Sequence, residues 1–294
     1  MTHITSADGT RIAYSRVGDG PPLILIDGAL CHRGLGPNRK LADRLRSQFT
    51  VITYDRRARG ESSDVQPYAV EREVEDLAAL IAQAGGSASL YGISSGGALA
   101  LEAARRLPGK ITRLALYEVP FFVDDSRAPA PPDYADQLTR LIGAGRRSAA
   151  VKLFMREIVG FPAPLVAAMP LFPGWSKNKA AAHTLVYDAA VMGDGQRGKP
   201  LPTDRWRSLT LPTLVASGGK SPTWMQTAAR QLADVLPGAE HRTLDGQRHY
   251  VKPDAIAPVL TEFLGTPAAG RHDAPSPTSR SGAGSNSPVA RPTA

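Results

Sequence analysis

Between Leu90 and Ala98 the chain reads Leu-Tyr-Gly-Ile-Ser-Ser-Gly-Gly-Ala, which sets Ser94 between Gly92 and Gly96. A serine hydroxyl is a weak nucleophile unless a base takes its proton and the backbone presents it. Residues 87–91 read as a strand and residues 96–107 as an Ala-rich helix, so Ser94 falls on a strand-to-helix turn. There the backbone is strained and the hydroxyl is pushed outward. Glycines on either side fit a bend where side chains would clash. The helix that follows presents its N-terminus, which favours negative charge on a reacting oxygen. The competing reading is a Gly/Ser-rich turn with no chemistry. Ser95 is off the motif's centre, and its useful group is the backbone N–H. Six histidines, His3, His32, His183, His241, His249 and His272, are available as bases.

The elements that must position Ser94 alternate in type. Residues 11–17 alternate as an early strand, and residues 22–26 form a short apolar run ending in Asp27-Gly28. Residues 50–54 are a β-branched strand followed by the polar loop Asp55-Arg56-Arg57-Ala58-Arg59-Gly60. Residues 41–45 and 70–84 carry helical spacing, the latter through Val74, Leu77, Leu80 and Ile81, and residues 114–117 form a further strand. Strands alternating with helices predict an α/β fold: a mostly parallel central sheet with helices on both faces. Ligands then bind beyond the carboxyl ends of the strands. From 120 to 207 no strand is evident. Segments 134–142, 148–159 and 180–192 read as helices, with Pro-rich joints at Phe161-Pro162 and Phe172-Pro173. The sheet pattern resumes at 212–216 and 239–244, with helices at 226–236 and 256–264. The expected organisation is a core over 1–119 and 208–265, a helical lid inserted at 120–207, and a disordered tail of Pro, Ser, Gly and Ala at 266–294, where His272 has no catalytic part.

These landmarks in order resemble the α/β-hydrolase family, and its lidded esterase, lipase and dehalogenase-type members, over about residues 1–265. The landmarks are Asp27-Gly28, the stretch from Tyr54 to Ser62, the Ser94 turn, the insertion and a late histidine. The resemblance implies that His249, in the loop after the last strand, is the base for Ser94, with His241 a lesser candidate. It implies oxyanion donors at the backbone N–H groups of Ala29 and Ser95. It also implies that the Asp55-to-Ser62 loop is structural. The pattern departs in two places. The family acid usually follows the seventh strand, where this chain has Gly218-Gly219-Lys220-Ser221; Glu118, after the 114–117 strand, is the expected substitute, ahead of Asp124, Asp125 and Asp245. Many relatives have His-Gly where this chain has Asp27-Gly28, and an inward carboxylate would repel an oxyanion, so Asp27 is expected to turn away or make a structural hydrogen bond.

Gly28, Phe121, Phe122, Trp175 and Trp224 are expected to contact substrate. Phe154, Met155, Phe161, Phe172 and Tyr187 could complete an apolar pocket under the lid, and His32 could touch substrate. The expected reaction is hydrolysis of an ester or related acyl bond of a small, hydrophobic molecule through an acyl-enzyme. The fold also hosts lyases, cyclases, acyltransferases, cofactor-free perhydrolases and non-catalytic binding proteins, so fold alone does not choose. No cofactor is called for. No metal signature is present, and Gly219-Lys220-Ser221 lacks the leading glycine of a phosphate loop. The net charge of +8 is scattered without interleaved aromatics, which argues against nucleic acid. One cysteine, Cys31, no secretory signal and no membrane-length apolar run predict a cytoplasmic protein without a membrane partner. The sequence does not specify an oligomeric state.

Overall fold

The computed structural model describes residues 2–265, so the expected tail at 266–294 and its His272 lie outside the described residues. An eight-stranded sheet runs through the molecule in the order β1-β2-β4-β3-β5-β6-β7-β8. The strands are β1 (Thr2–Thr5), β2 (Arg11–Val17), β3 (Pro22–Ile26), β4 (Thr50–Tyr54), β5 (Ala88–Ile93), β6 (Ile111–Tyr117), β7 (Thr213–Gly218) and β8 (Glu240–Leu244). β1 and β2 pair antiparallel at one edge, and every pair from β4 to β8 is parallel. β1 carries no alternation and is largely exposed, so nothing in its sequence announces a strand; its pairing with β2 through Thr2↔Tyr14 makes it one. β8 closes the far edge with polar Glu240, His241 and Arg242, the composition that discourages edge-to-edge pairing.

Central strands are apolar along their length because helices cover both faces. Ile24, Ile26, Ile52, Leu90, Leu114, Leu116 and Val215 point into one core, packed by α2 (Val70–Gln83), α3 (Ser95–Arg106) and α9 (Thr223–Val235). Their strand neighbours Leu23, Leu25, Val51, Tyr91, Ile93, Ala115 and Leu214 point the other way, onto α1 (Asn38–Leu45) and α10 (Pro253–Gly265). Each fully buried Leu or Ile contributes about 1.5–3 kcal/mol. This period-two division between two cores fixes the register of the central strands.

Between β6 and β7 the chain is helical: α4 (Tyr134–Gly143), α5 (Arg147–Phe154), α6 (Ala163–Ala168), α7 (Trp175–Ala181) and α8 (Leu185–Met192). The single helix expected at 148–159 is α5 plus a π turn at Met155–Val159 that ends in left-handed Gly160. The single helix expected at 180–192 is interrupted by a 3-10 turn at Ala182–Thr184. α6 and α7 stand where only proline-rich joints were expected. Pro162 and Pro164 sit at the start of α6, where no intrahelical N–H is required. These helices bury a third apolar cluster that includes Leu30, Phe122, Leu138, Val151, Trp175 and Leu185.

Candidate active site

Ser94 sits between β5 and α3 with φ 58° and ψ −133°, a left-handed conformation that a side-chain-bearing residue adopts only where its surroundings enforce it. Its N–H donates to Tyr117 O at 3.0 Å, tying the turn to the end of β6. A Cβ on Gly96 would lie 2.5 Å from Ile26 O, so only glycine allows α3 to approach β3. A Cβ on Gly28 would lie 2.9 Å from Ser94 Cβ, so the β3 loop reaches the serine only through a bare Cα. Ser94 is the one residue of 88–104 that is not buried.

The residue after Tyr117 is Glu118, fully buried and itself left-handed at φ 47°. Its Oε2 lies 2.9 Å from His249 Nδ1, and its Oε1 accepts the Gly218 N–H at 2.7 Å. With the carboxylate ionised, Nδ1 carries the ring proton and Nε2 presents a lone pair. The loop carrying His249 is fastened to the sheet. Tyr117 Oη donates to Arg248 O at 2.8 Å, and Lys220 N–H donates to Gln247 O at 2.8 Å. Gly218 has no side chain because Gln247 O would lie 2.5 Å from its Cβ. In the slot after β7, Ser221 is buried and its hydroxyl has no partner among the described residues. The structure therefore pairs Glu118 with His249 from the ends of β6 and β8, and sets Ser94 at the end of β5, the strand beside β6. Asp245 is exposed, Asp124 accepts from Ser126, and Asp125 is exposed, so none of these three holds the histidine.

Ser95 follows Ser94 in the chain and Ala29 follows Gly28, on which a Cβ would lie 2.9 Å from Ser94 Cβ; outside the helices and strands, no backbone acceptor among the described residues takes either N–H. Asp27 is buried against Gly36, a Cβ on which would lie 2.9 Å from its Oδ1, and it accepts the Asn38 backbone N–H. Burial pushes its carboxyl up to about 7 against the pull of Arg59 and Arg56. A carboxyl that is neutral below that pH removes the repulsion expected of it.

The expected substrate-contacting aromatics divide. Phe122 meets Trp224 edge-on at 5.1 Å, and both belong with Trp175, Ala29 and Leu30 to the third cluster, as do Phe154 and Met155. Phe121 does not join them. It turns into the sheet core against Trp206 at 5.9 Å, where Gly195 leaves it room. Phe161 and Phe172 are exposed on the outside of the insertion rather than beneath it. Tyr187 stacks on Tyr68 at 3.8 Å with its hydroxyl on Asp64, a structural contact. His32 Nδ1 accepts the Gly34 N–H, and the ring faces a cleft of about 510 Å³ lined by Arg33, Asp55 and Glu61 but not by Ser94 or His249. His241 lies on β8.

One group escaped the sequence reading. Arg56, Arg59, Glu73 and Asp188 are all buried. Arg56 grips Glu73 with two bonds of 2.7 Å and reaches Asp188 Oδ1 at 2.8 Å, while Arg59 reaches Asp188 Oδ2 at 2.7 Å. Asp188 also accepts the Ser95 hydroxyl at 2.8 Å. The available signal was the cluster Arg56-Arg57-x-Arg59. Guanidiniums buried in the loop after β4 demand buried carboxylates, but the sequence does not say which.

Known proteins carry the same arrangement of elements. A model of the alpha/beta hydrolase family matches residues 29–259. The structure of an alpha/beta hydrolase from Sphaerobacter thermophilus is 53% identical, with a TM-score of 0.82 over 90% of this chain and all of that one. A thermophilic esterase from Thermogutta terrifontis shares the fold at 24% identity and TM-score 0.64, over 90% of this chain and 97% of that one. An uncharacterized hydrolase of Bacillus subtilis is 32% identical over 110 residues, 35% of this chain and 39% of that protein. The chain spans about two-fifths of the length of the curated relatives it matches. No helix among the described residues is long and apolar enough to cross a membrane.

Proposed function

Since the chain belongs to the alpha/beta hydrolase family, we propose that it is a serine hydrolase that cleaves an ester or related acyl bond of a small, apolar substrate. One observation carries the reading: His249 Nδ1 is bonded to buried Glu118, one residue beyond the carbonyl that accepts the Ser94 N–H. Ser94 Oγ attacks the acyl carbon while His249 Nε2 takes its proton. The negative charge on the former carbonyl oxygen is met by the N–H groups of Ala29 and Ser95. Glu118 stabilises the imidazolium. The imidazolium then protonates the departing alkoxide, leaving Ser94 acylated. A water deprotonated by His249 attacks the acyl carbon, the acid departs, and Ser94 recovers its proton. The apolar cluster around Phe122, Trp224 and Leu30 supports an apolar acyl group. Among the helices between β6 and β7, those before α8 act as the lid over it. The substrate is a small molecule, no cofactor takes part, and the cytoplasm is the compartment we assign.

The test uses a fluorophosphonate probe and a series of short-chain aryl esters. Wild type is expected to label once and to turn over esters. Ser94→Ala abolishes labelling, and His249→Ala abolishes turnover. Glu118→Gln, which keeps the shape but cannot compensate the imidazolium, is expected to lose roughly 10²–10⁴ in kcat. A folded wild type that neither labels nor turns over any ester overturns the reading.

A further inference from the structure

The oxyanion donors proposed above are backbone N–H groups, so their aim is set by whatever fixes their peptide planes. Ala29 N–H belongs to the same peptide unit as Gly28 C=O. In a trans peptide the two point in opposite directions, so a bond that holds the oxygen also aims the N–H. Arg59 Nη1 donates to Gly28 O at 2.6 Å and to Cys31 O at 3.3 Å. The second donor, Ser95 N–H, opens α3, and the Ser95 side chain is anchored by its bond to Asp188 Oδ1. Asp188 Oδ2 holds Arg59. One carboxylate thus connects the group that orients the Ala29 peptide with the side chain of the residue carrying the other donor.

We propose that Asp188, contributed by α8 of the inserted helices, is a positioning residue that aligns both oxyanion donors, through Arg59 on one side and the Ser95 hydroxyl on the other. The inference rests on the serine hydrolase reading. Its geometry is over-determined. Arg56 bonds the same Asp188 oxygen as Ser95 and is itself gripped by Glu73 from α2. Arg59 Nε donates to Thr184 Oγ1 at 3.1 Å, in the turn just before α8. Burial raises the Asp188 carboxyl, and Arg59 and Arg56 outweigh it and hold the group ionised. Two guanidiniums and two carboxylates balance, so the cluster is buried without net charge. Asp188 touches no reacting atom. It acts by holding two peptides in place, and it makes α8 part of the catalytic floor rather than of a cover that lifts away.

The experiment compares wild type, Ser95→Ala and Asp188→Asn in the full chain. It measures kcat and KM on an aryl ester, thermal midpoint, and affinity for a trifluoromethyl ketone, which forms a hemiketal oxyanion on the nucleophile. Ser95→Ala keeps every Asp188–Arg bond and cuts the link to α3, namely the Ser95 hydroxyl's 2.8 Å bond to Asp188 and its longer 3.5 Å contact from Arg56 Nη1. It is expected to keep its thermal midpoint and KM while kcat falls about 10–100-fold, less than the loss on deleting a donor outright. The ketone should bind weaker by the same factor, and Asp188→Asn should lose more. A merely structural Asp188 would lower the thermal midpoint and leave kcat and ketone affinity alone, and that outcome overturns the proposal. Should Asp188→Asn fail to fold, Ser95→Ala decides alone. A wild type that takes no fluorophosphonate and turns over no ester brings down the hydrolase reading and this inference together. A wild type that is active beside variants with unchanged kcat brings down this inference only.

Discussion

Asp27 shows how one buried group can set a pH dependence. It is 3% exposed, has one oxygen without a partner, and meets Arg59, Arg56 and Asp55 only as more distant charges. Burial raises its carboxyl from 3.8 to about 7. The folded chain therefore binds a proton at Asp27 more tightly than the unfolded chain. The associated stability is fully present below about pH 3.8 and is lost as pH rises toward 7. The full span corresponds to roughly 4 kcal/mol at 1.36 kcal/mol per pH unit, as an order of magnitude. Asp27→Asn removes the ionisation and nearly keeps the shape. Chemical denaturation should find the variant more stable than wild type at pH 8.5, with the advantage gone at pH 4. Parallel pH profiles for the two proteins would show that Asp27 ionises without cost.

At the scale of elements, the Ser94 turn depends on how closely α3 crosses β3. Gly96→Ala places a methyl 2.5 Å from Ile26 O and 2.7 Å from Asp27 O, both backbone atoms that cannot rotate away. The variant is expected to lose about 1–3 kcal/mol of stability by overpacking. It should also lose fluorophosphonate labelling, because the start of α3, with Ser94 before it, must move away from β3 to relieve the clash. Wild-type labelling in Gly96→Ala would show the turn to be tolerant. This element was legible in the sequence because its determinants are local: an apolar strand, two spaced glycines and a helix within twenty residues of each other. Glu118 and His249 were legible through strand ends, which parallel sheets bring to one rim. β1 was not, since an exposed four-residue edge strand has no pattern of its own. Nor was the Asp188 cluster, because Asp188 lies 129 residues from Arg59 and 93 from Ser95. On α8 it reads as a lone acid between Tyr187 and Ala189. Phe121 and Phe122 were assigned to one pocket because adjacent residues cannot be told apart by composition; the backbone sends them to opposite cores.

For the molecule as a whole, the inserted helices divide into two mechanical parts. α8 packs on α2, α3 and α4, and it carries Asp188 into a cluster whose members come from the β4 loop, α2 and α3. Opening α8 would strand buried guanidiniums, a cost of about 3–5 kcal/mol for each broken buried pair. The outer stretch from the π turn to α7 is built differently. Its elements are short, and Val159, Phe161, Leu165, Leu171 and Phe172 stand exposed, Leu171 at 85%. Met155, Ile158, Val166 and Trp175 hold its inner face to the third cluster without any buried ion pair among the described residues, so we expect it to open at lower cost than α8. Amide hydrogen exchange on the full chain separates the two parts. Residues 185–192 should exchange with the slow amides of β5, while residues 155–174 exchange at least about 100-fold faster through local opening. Phe172→Ser should leave global stability within about 0.5 kcal/mol, as surface substitutions do. Equal protection across both stretches would mean that the insertion moves as one body. The division of the insertion into a fixed α8 and a looser outer stretch would then be wrong.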